Sequence, residues 1–325
     1  MKIAILDDYQ NATARIAAVG ELRKLGEVVV YQAKARDEAE LVERLRGVEI
    51  VIPIRERTAL PERVLVQLPD LKYICMTGHR APVIDVEGAT RRGILVTNTE
   101  GNSNSTAELT IGLMIAVMRH IAVEDRAIRA GRWQTTIGVG LQGKTLGIIG
   151  LGRQGTRVCR MAQAFGMHVL ACGFTLTPER AEAAGAGLVP LETLLRESDV
   201  VSVHLRLTPQ SRGYVGKAQL AQMKPTAYLV NTARGPIVDE AALVEALRDH
   251  RIAGAALDVY GQEPAEPGNP LFGLDNVVLA PHLGFVTAET YEGFFQGALE
   301  NIRNYLAGTP SRVVNPEVLR SAPGR

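Results

Sequence analysis

Cysteine is scarce in this chain. Cys75, Cys159 and Cys172 are the three in 325 residues, an odd number without a C-x-x-C pair. Neither a disulfide framework nor a zinc site is indicated, and no metal is expected. An excess of charge is also missing: 36 basic against 35 acidic side chains leave a net +1. Nucleic acid and anionic membrane therefore find no basic surplus to bind. Long apolar runs are lacking as well. The longest, "LTIGLMIAVM", is ten residues and stops at Arg119 and His120, about half of what a bilayer span needs. At the amino terminus, "MKIAILDDYQ" is apolar for only four residues before Asp7, too few for a secretory leader, and reads as a first strand. These absences together predict a cytoplasmic protein.

What is present is an ordinary globular composition, 46% hydrophobic and 22% charged, in a chain longer than a single core usually grows. Two domains follow as the expectation. Residues 1–98 alternate apolar runs ("KIAILDD", "GEVVVYQ", "VEIVIPI", "LKYICMTG") with helical stretches such as 12–25 and "DEAELVERLRG". A second series starts at Lys144, with strands expected at 145–150, 168–172, 200–205, 227–231, 254–259 and 277–280. Such alternation predicts parallel sheets covered by helices, and the continuous apolar runs suit strands buried on both faces. Residues 104–121 read as a buried helix, apolar nearly all round, and 287–308 as a last amphipathic helix.

The second series opens with "LGIIGLGRQGTRV", where Gly150, Gly152 and Gly155 form G-x-G-x-x-G between a strand and a helix. In a dinucleotide-binding turn the first glycine makes the bend, the second lets backbone approach a pyrophosphate, and the third lets helix pack on strand. Exposed N–H groups and the helix dipole then favour the phosphates. A carboxylate about 20 residues on would bond the ribose of NAD, yet that position is Gly173. No arginine stands at the strand end either; Arg180 comes seven residues later. NAD(H) is the expected cofactor, with NADP(H) left open.

Ligands of open α/β sheets bind beyond the carboxyl ends of the strands. There, "AYLVNTARG" delivers Arg234, "GAALDVYGQEP" delivers Asp258 and Glu263, and "NVVLAPHLG" delivers His282. Arginine can hold a substrate carboxylate bidentately. Histidine can exchange a hydroxyl proton while an adjacent acid orients its ring and favours the charged form. Taken singly, each residue also reads as a surface charge or a cap; together they suit hydride transfer at an alcohol carbon beside a carboxylate.

These motifs, with "GILVTNTEGNSNSTAELT", closely resemble the D-isomer-specific 2-hydroxyacid dehydrogenases over essentially the whole chain. The resemblance implies two Rossmann-like doubly wound parallel-sheet α/β domains. A nucleotide domain (100–286) would be inserted into a discontinuous substrate domain (1–99 and 287–325), with the active site in the cleft. It further implies Arg234, Glu263 and His282 as the catalytic triad. Gly150, Gly152, Arg153, Gln154 and Gly155 would hold the pyrophosphate. Leu205, Thr232, Ala233, Asp258 and Gly284 would line the cofactor, and Arg55, Thr77, Gly78 and His79, with Arg234, would meet the substrate. A homodimer through the nucleotide domain is implied too, with residues near 120–142, including Trp133, as an arm.

The loop "CMTGHRAPVID" (75–85) departs from the G-R-A-G-x-G-V-D-N-I-D of relatives acting on 3-phosphoglycerate: Met76, Arg80 and Val83 replace a basic residue, a glycine and an asparagine. The expected activity is a nicotinamide-dependent D-2-hydroxyacid dehydrogenase reducing 2-keto acids. Alternatives are a non-catalytic, dinucleotide-sensing scaffold like the related corepressors, or a formate- or phosphite-type dehydrogenase.

Overall fold

The computed structural model describes residues 1–79, 82–101 and 104–321; Arg80, singled out in the loop above, lies outside them. The chain divides into two compact units, Met1–Asn102 with Thr287–Arg325, and Ser103–Val286.

The first unit is built on β1 (Lys2–Leu6), β2 (Glu27–Val30), β3 (Ile50–Pro53), β4 (Tyr73–Met76) and β5 (Leu95–Asn98). All pair in parallel in the order β2-β1-β3-β4-β5. Strands β3 and β4 are buried throughout, because "IVIP" and "YICM" offer apolar side chains to both faces and helices cover both. One of those helices is the last long one, Ala288–Leu306. Its Phe295 and Ile302 are wholly buried, and Asn301 Nδ2 donates to the Asn98 carbonyl at 2.7 Å. Beyond it, the N–H groups of Asn98 and Val314 donate to the carbonyls of Arg312 and Val96, stitching the chain to the edge of β5.

The second unit holds β6 (Thr145–Ile149), β7 (His168–Cys172), β8 (Gly187–Leu188), β9 (Val200–Val203), β10 (Tyr228–Asn231), β11 (Gly254–Leu257) and β12 (Val277–Leu279). All are parallel, ordered β12-β11-β10-β9-β6-β7-β8. This is the doubly wound dinucleotide order with a seventh strand, and its direction reverses between β6 and β9. Alternate residues feed two cores: Ile149, Val201 and Leu229 pack on one face, Ile148, Val200 and Val230 on the other.

Several boundaries differ from the sequence reading. The helix expected over 104–121 ends at Met118, and a second helix runs Ile121–Arg129. Between them His120 takes a left-handed φ of 52°, which breaks the ladder where apolar residues give way to charge. Strand β9 stops at Val203, and the two-residue β8 was not anticipated. The three cysteines are buried and free. No single helix among the described residues is long and apolar enough to cross a membrane.

Candidate active site

Gly150 follows β6 with φ +103°, and a Cβ there would lie 2.9 Å from the backbone of His204 and Leu205. Gly155 is equally confined, its Cβ 2.3 Å from the Gly150 carbonyl oxygen. Gly152 is the opposite: a Cβ there would meet nothing within 4 Å. It precedes the 12-residue helix Arg153–Ala164, which has no side-chain cap and no acid in its first turn. The leading N–H groups of such a helix attract an anion. An open backbone approach at the middle glycine, beside an uncapped helix start, fits a dinucleotide pyrophosphate. Arg153 is exposed and Gln154 half-buried at that helix start.

The end of β7 brings one residue that counting along the chain misplaced. Arg180 folds back across the turn: its Nη1 donates to the Thr175 carbonyl at 2.9 Å, its Nη2 to that of Leu151 at 3.2 Å. A guanidinium thus stands against the fingerprint itself. At the end of β9, His204 Nε2 meets Ser202 Oγ at 2.8 Å, and burial pushes its pKa down to about 4. It is a neutral structural ring.

Three further strand ends carry the candidate catalytic groups. After β10, Asn231 spreads its side-chain amide under the turn. Its Oδ1 accepts from Ala233 N–H at 3.0 Å, and its Nδ2 donates to the Arg234 carbonyl at 3.1 Å. Thr232 Oγ1 meets Thr110 Oγ1, from the buried helix, at 2.8 Å. These contacts fix the backbone that presents Arg234. Immediately afterwards, Gly235 is pressed against the β11 loop so closely that a Cβ would lie 1.9 Å from the Tyr260 carbonyl oxygen.

The β11 loop carries Glu263. Its Oε1 accepts from Tyr260 N–H at 3.0 Å, and its Oε2 contacts His282 Nδ1 at 2.5 Å. Burial alone would raise this carboxyl, but the His282 ring, the Tyr260 N–H and the charge of Arg234 outweigh it and hold the group below its ordinary range. Glu240 steadies the same loop, accepting from Gly261 N–H at 2.8 Å and Asn269 Nδ2 at 2.9 Å.

His282 follows β12 in a left-handed conformation, φ +55°. Three side chains hold it there. The Tyr260 hydroxyl donates to the Ala280 carbonyl at 3.1 Å. Asp258, at the end of β11, accepts from Leu283 N–H at 2.6 Å and Gly284 N–H at 2.8 Å. Thr106 Oγ1 donates to the Gly284 carbonyl at 2.9 Å. Burial pushes the Asp258 carboxyl up to about 6 despite those two N–H donors. With Nδ1 committed to Glu263, Nε2 is the ring atom left to meet a substrate oxygen. The His282 side chain keeps 27% of its surface exposed and that of Glu263 34%, enough for a small molecule to reach both.

In the first unit, three of the sequence-predicted substrate residues gather at the carboxyl ends of β3 and β4. Arg55, at φ +54°, donates its N–H to Thr77 Oγ1 at 2.7 Å, and Thr77 Oγ1 donates to the Pro53 carbonyl at 2.9 Å. The Arg55 guanidinium lies where a Cβ on Gly78 would be, 1.8 Å from that position. His79 is exposed beside them. Arg57 instead turns to the end of β1, donating to the Asp7 carbonyl at 2.7 Å and stacking over Tyr9, 4.5 Å from the ring centre.

Residues that the sequence reading did not single out are Asn231, Glu240, Tyr260, Thr106 and Thr110. Each bonds to a loop or turn that bears a candidate group. Their polar side chains next to Gly-rich strand ends were the available signal.

Known proteins resemble this chain over most of its length. The family model for the NAD binding domain of D-isomer specific 2-hydroxyacid dehydrogenases matches residues 111–284. A glyoxylate reductase of Thermococcus litoralis is 39% identical over 314 residues, covering 93% of this chain and 94% of its own length. A D-3-phosphoglycerate dehydrogenase of Archaeoglobus fulgidus is 42% identical over 299 residues, 91% of this chain. The match spans only 56% of that relative's length. Among solved structures, a phosphoglycerate oxidoreductase from Vibrio cholerae superposes with a TM-score of 0.90 at 39% identity, covering 95% of this chain and 99% of its own.

Proposed function

The chain belongs to the D-isomer-specific 2-hydroxyacid dehydrogenase family, and from this premise we propose that it reduces a small 2-keto acid to the D-2-hydroxy acid, with the reverse oxidation on the same groups. The observation that carries the reading is the 2.5 Å contact between His282 and Glu263, within reach of the Arg234 charge, on the sheet edge that also bears the glycine fingerprint.

The nicotinamide, when bound, supplies the hydride to the carbonyl carbon or accepts it from the alcohol carbon. Gly150, Gly152, Arg153, Gln154 and Gly155 would hold its pyrophosphate; Leu205, Thr232, Ala233, Asp258 and Gly284 would line the rest of the cofactor. Arg234 binds the substrate carboxylate through its planar fork and turns the keto group toward His282. In reduction, protonated His282 gives its Nε2 proton to the carbonyl oxygen as that oxygen gains charge. In oxidation, the neutral ring takes the hydroxyl proton from the same position. Glu263 fixes which nitrogen faces the substrate and stabilises the imidazolium. Choice between NAD(H) and NADP(H) falls to the end of β7, where Gly173 offers no carboxylate.

The protein works in this reading as a cytoplasmic homodimer. Support for self-association comes from apolar side chains left uncovered along 121–137: Ile121 and Ile128 are each 51% exposed, Trp133 73% and Ile137 94%. Mass measurement in solution tests it.

The decisive experiment is a panel of 2-keto acids, glyoxylate and hydroxypyruvate included, with NADH and with NADPH, followed by loss of nicotinamide absorbance. His282→Ala should lower turnover by about 10²–10⁴, the usual size of an acid–base contribution. Near-normal turnover in His282→Ala would end the assignment. No turnover with any acid, alongside intact dinucleotide binding, would favour a sensing scaffold. Activity confined to formate or phosphite would move the chain to that chemistry.

A further inference from the structure

We infer that Arg180 recognises a phosphate on the 2′-oxygen of the adenosine ribose, so that the chain selects NADP(H) over NAD(H). The inference rests on the dinucleotide reading above and concerns the end of the cofactor remote from the chemistry.

In a fold of this order the adenosine ribose lies between the glycine fingerprint and the end of the second strand, here β7. A carboxylate there would bond the two ribose hydroxyls and repel a 2′-phosphate. This chain has Gly173 at that position, its Cβ site 3.6 Å from the Gly150 Cα, so the strand end abuts the fingerprint with no negative charge. What occupies the neighbourhood is the Arg180 guanidinium, held by the Leu151 carbonyl, between the first two fingerprint glycines, and by the Thr175 carbonyl, just past the strand.

The manner of that tether matters. Both partners are neutral carbonyls, and among the described residues no carboxylate pairs with Arg180. Two of its five donors are used, leaving three and an uncompensated charge. Holding the fork in place beforehand removes most of the ordering cost of binding an anion, and guanidinium is the side chain best matched to phosphate oxygens. Glu179, the adjacent acid, is bonded within its own turn, to Thr177 and its own N–H. Next to this end, Phe174, 42% exposed, meets Tyr214 edge-on with ring centres 4.9 Å apart, an apolar wall of purine size.

The test measures binding without turnover. The full chain is titrated with NADPH and NADH by nicotinamide fluorescence, and with adenosine 2′,5′-bisphosphate and AMP by calorimetry. NADPH should bind about 10- to 100-fold more tightly than NADH, the value of a charge-assisted phosphate contact, and the bisphosphate should exceed AMP by a similar factor. The preference should shrink as salt is raised. Arg180→Gln should bring the NADPH:NADH ratio close to one. Gly173→Asp, whose side chain starts at ordinary contact distances, should invert it. Equal binding of both dinucleotides by the unaltered chain, or a ratio unmoved in Arg180→Gln, overturns the phosphate assignment and leaves the dehydrogenase reading standing. Binding of neither dinucleotide overturns both.

Discussion

Gly235→Ala puts the arrangement of the proposed catalytic groups to its sharpest test. A Cβ at 235 would lie 1.9 Å from the carbonyl oxygen of Tyr260, 2.0 Å from its carbonyl carbon and 2.7 Å from the nitrogen of Gly261. Ordinary contact begins at 3.4 Å, so about 1.5 Å of separation has to be created, and backbone has no rotamer with which to yield. Whichever side moves carries a proposed catalytic group: Arg234 is the preceding residue on one side, and Glu263, bonded to Tyr260 N–H, lies on the other. A shift of about 1 Å between catalytic groups is worth roughly 10² in rate, and strain from forcing atoms into a packed site costs about 1–3 kcal/mol. We therefore expect kcat/KM for the best keto acid to fall about 100-fold, with a melting temperature lower by several degrees. Steady-state assays at 25 °C separate the first effect from the second, which circular dichroism reads. Gly152→Ala is the matched control. Its Cβ meets nothing, so melting should be unchanged while dinucleotide affinity falls. A Gly235→Ala enzyme with unaltered kcat/KM and melting temperature would refute the claim that these two loops are butted rigidly together.

Arg234→Lys keeps the charge and loses the fork, so KM for the keto acid should rise about 10- to 100-fold; an unchanged KM would remove Arg234 from carboxylate binding. Asp258 predicts a pH effect on stability. Its folded value of about 6 stands above the ordinary 3.8. The stability tied to its protonated form is therefore complete below about pH 4 and is lost as pH rises to and past 6. Urea midpoints of the unaltered chain should fall relative to Asp258→Asn across that window, and curves parallel throughout it would refute the linkage.

Much of this was legible in the sequence because the signals were local. Runs such as "IVIP" and "YLVN" read as doubly buried strands. The three fingerprint glycines could be assigned separate duties, and Arg234, Glu263 and His282 stood out as candidates because each follows a strand. What escaped was set by distance in space rather than along the chain. Arg180 sits seven residues beyond Gly173, yet its long side chain bridges back to Leu151, 29 residues earlier. The Tyr260 hydroxyl reaches Ala280, 20 residues on, and Asn231 works through backbone that only the folded turn defines. The break at His120 was hidden because composition stays helix-compatible on both sides of it.

The first unit is completed by its last-made piece. Strands β1–β5 come from the opening hundred residues, but the helix that seats Phe295 and Asn301 against them starts at Ala288. During synthesis the uninterrupted 103–286 stretch can fold as soon as it emerges. The earlier sheet must wait, at about 5–20 residues per second, for some tens of seconds, with part of its apolar face bare. The ribosome-bound intermediate is thus a finished nucleotide domain trailing an unfinished partner, and it is at this stage that a chaperone would have most to protect.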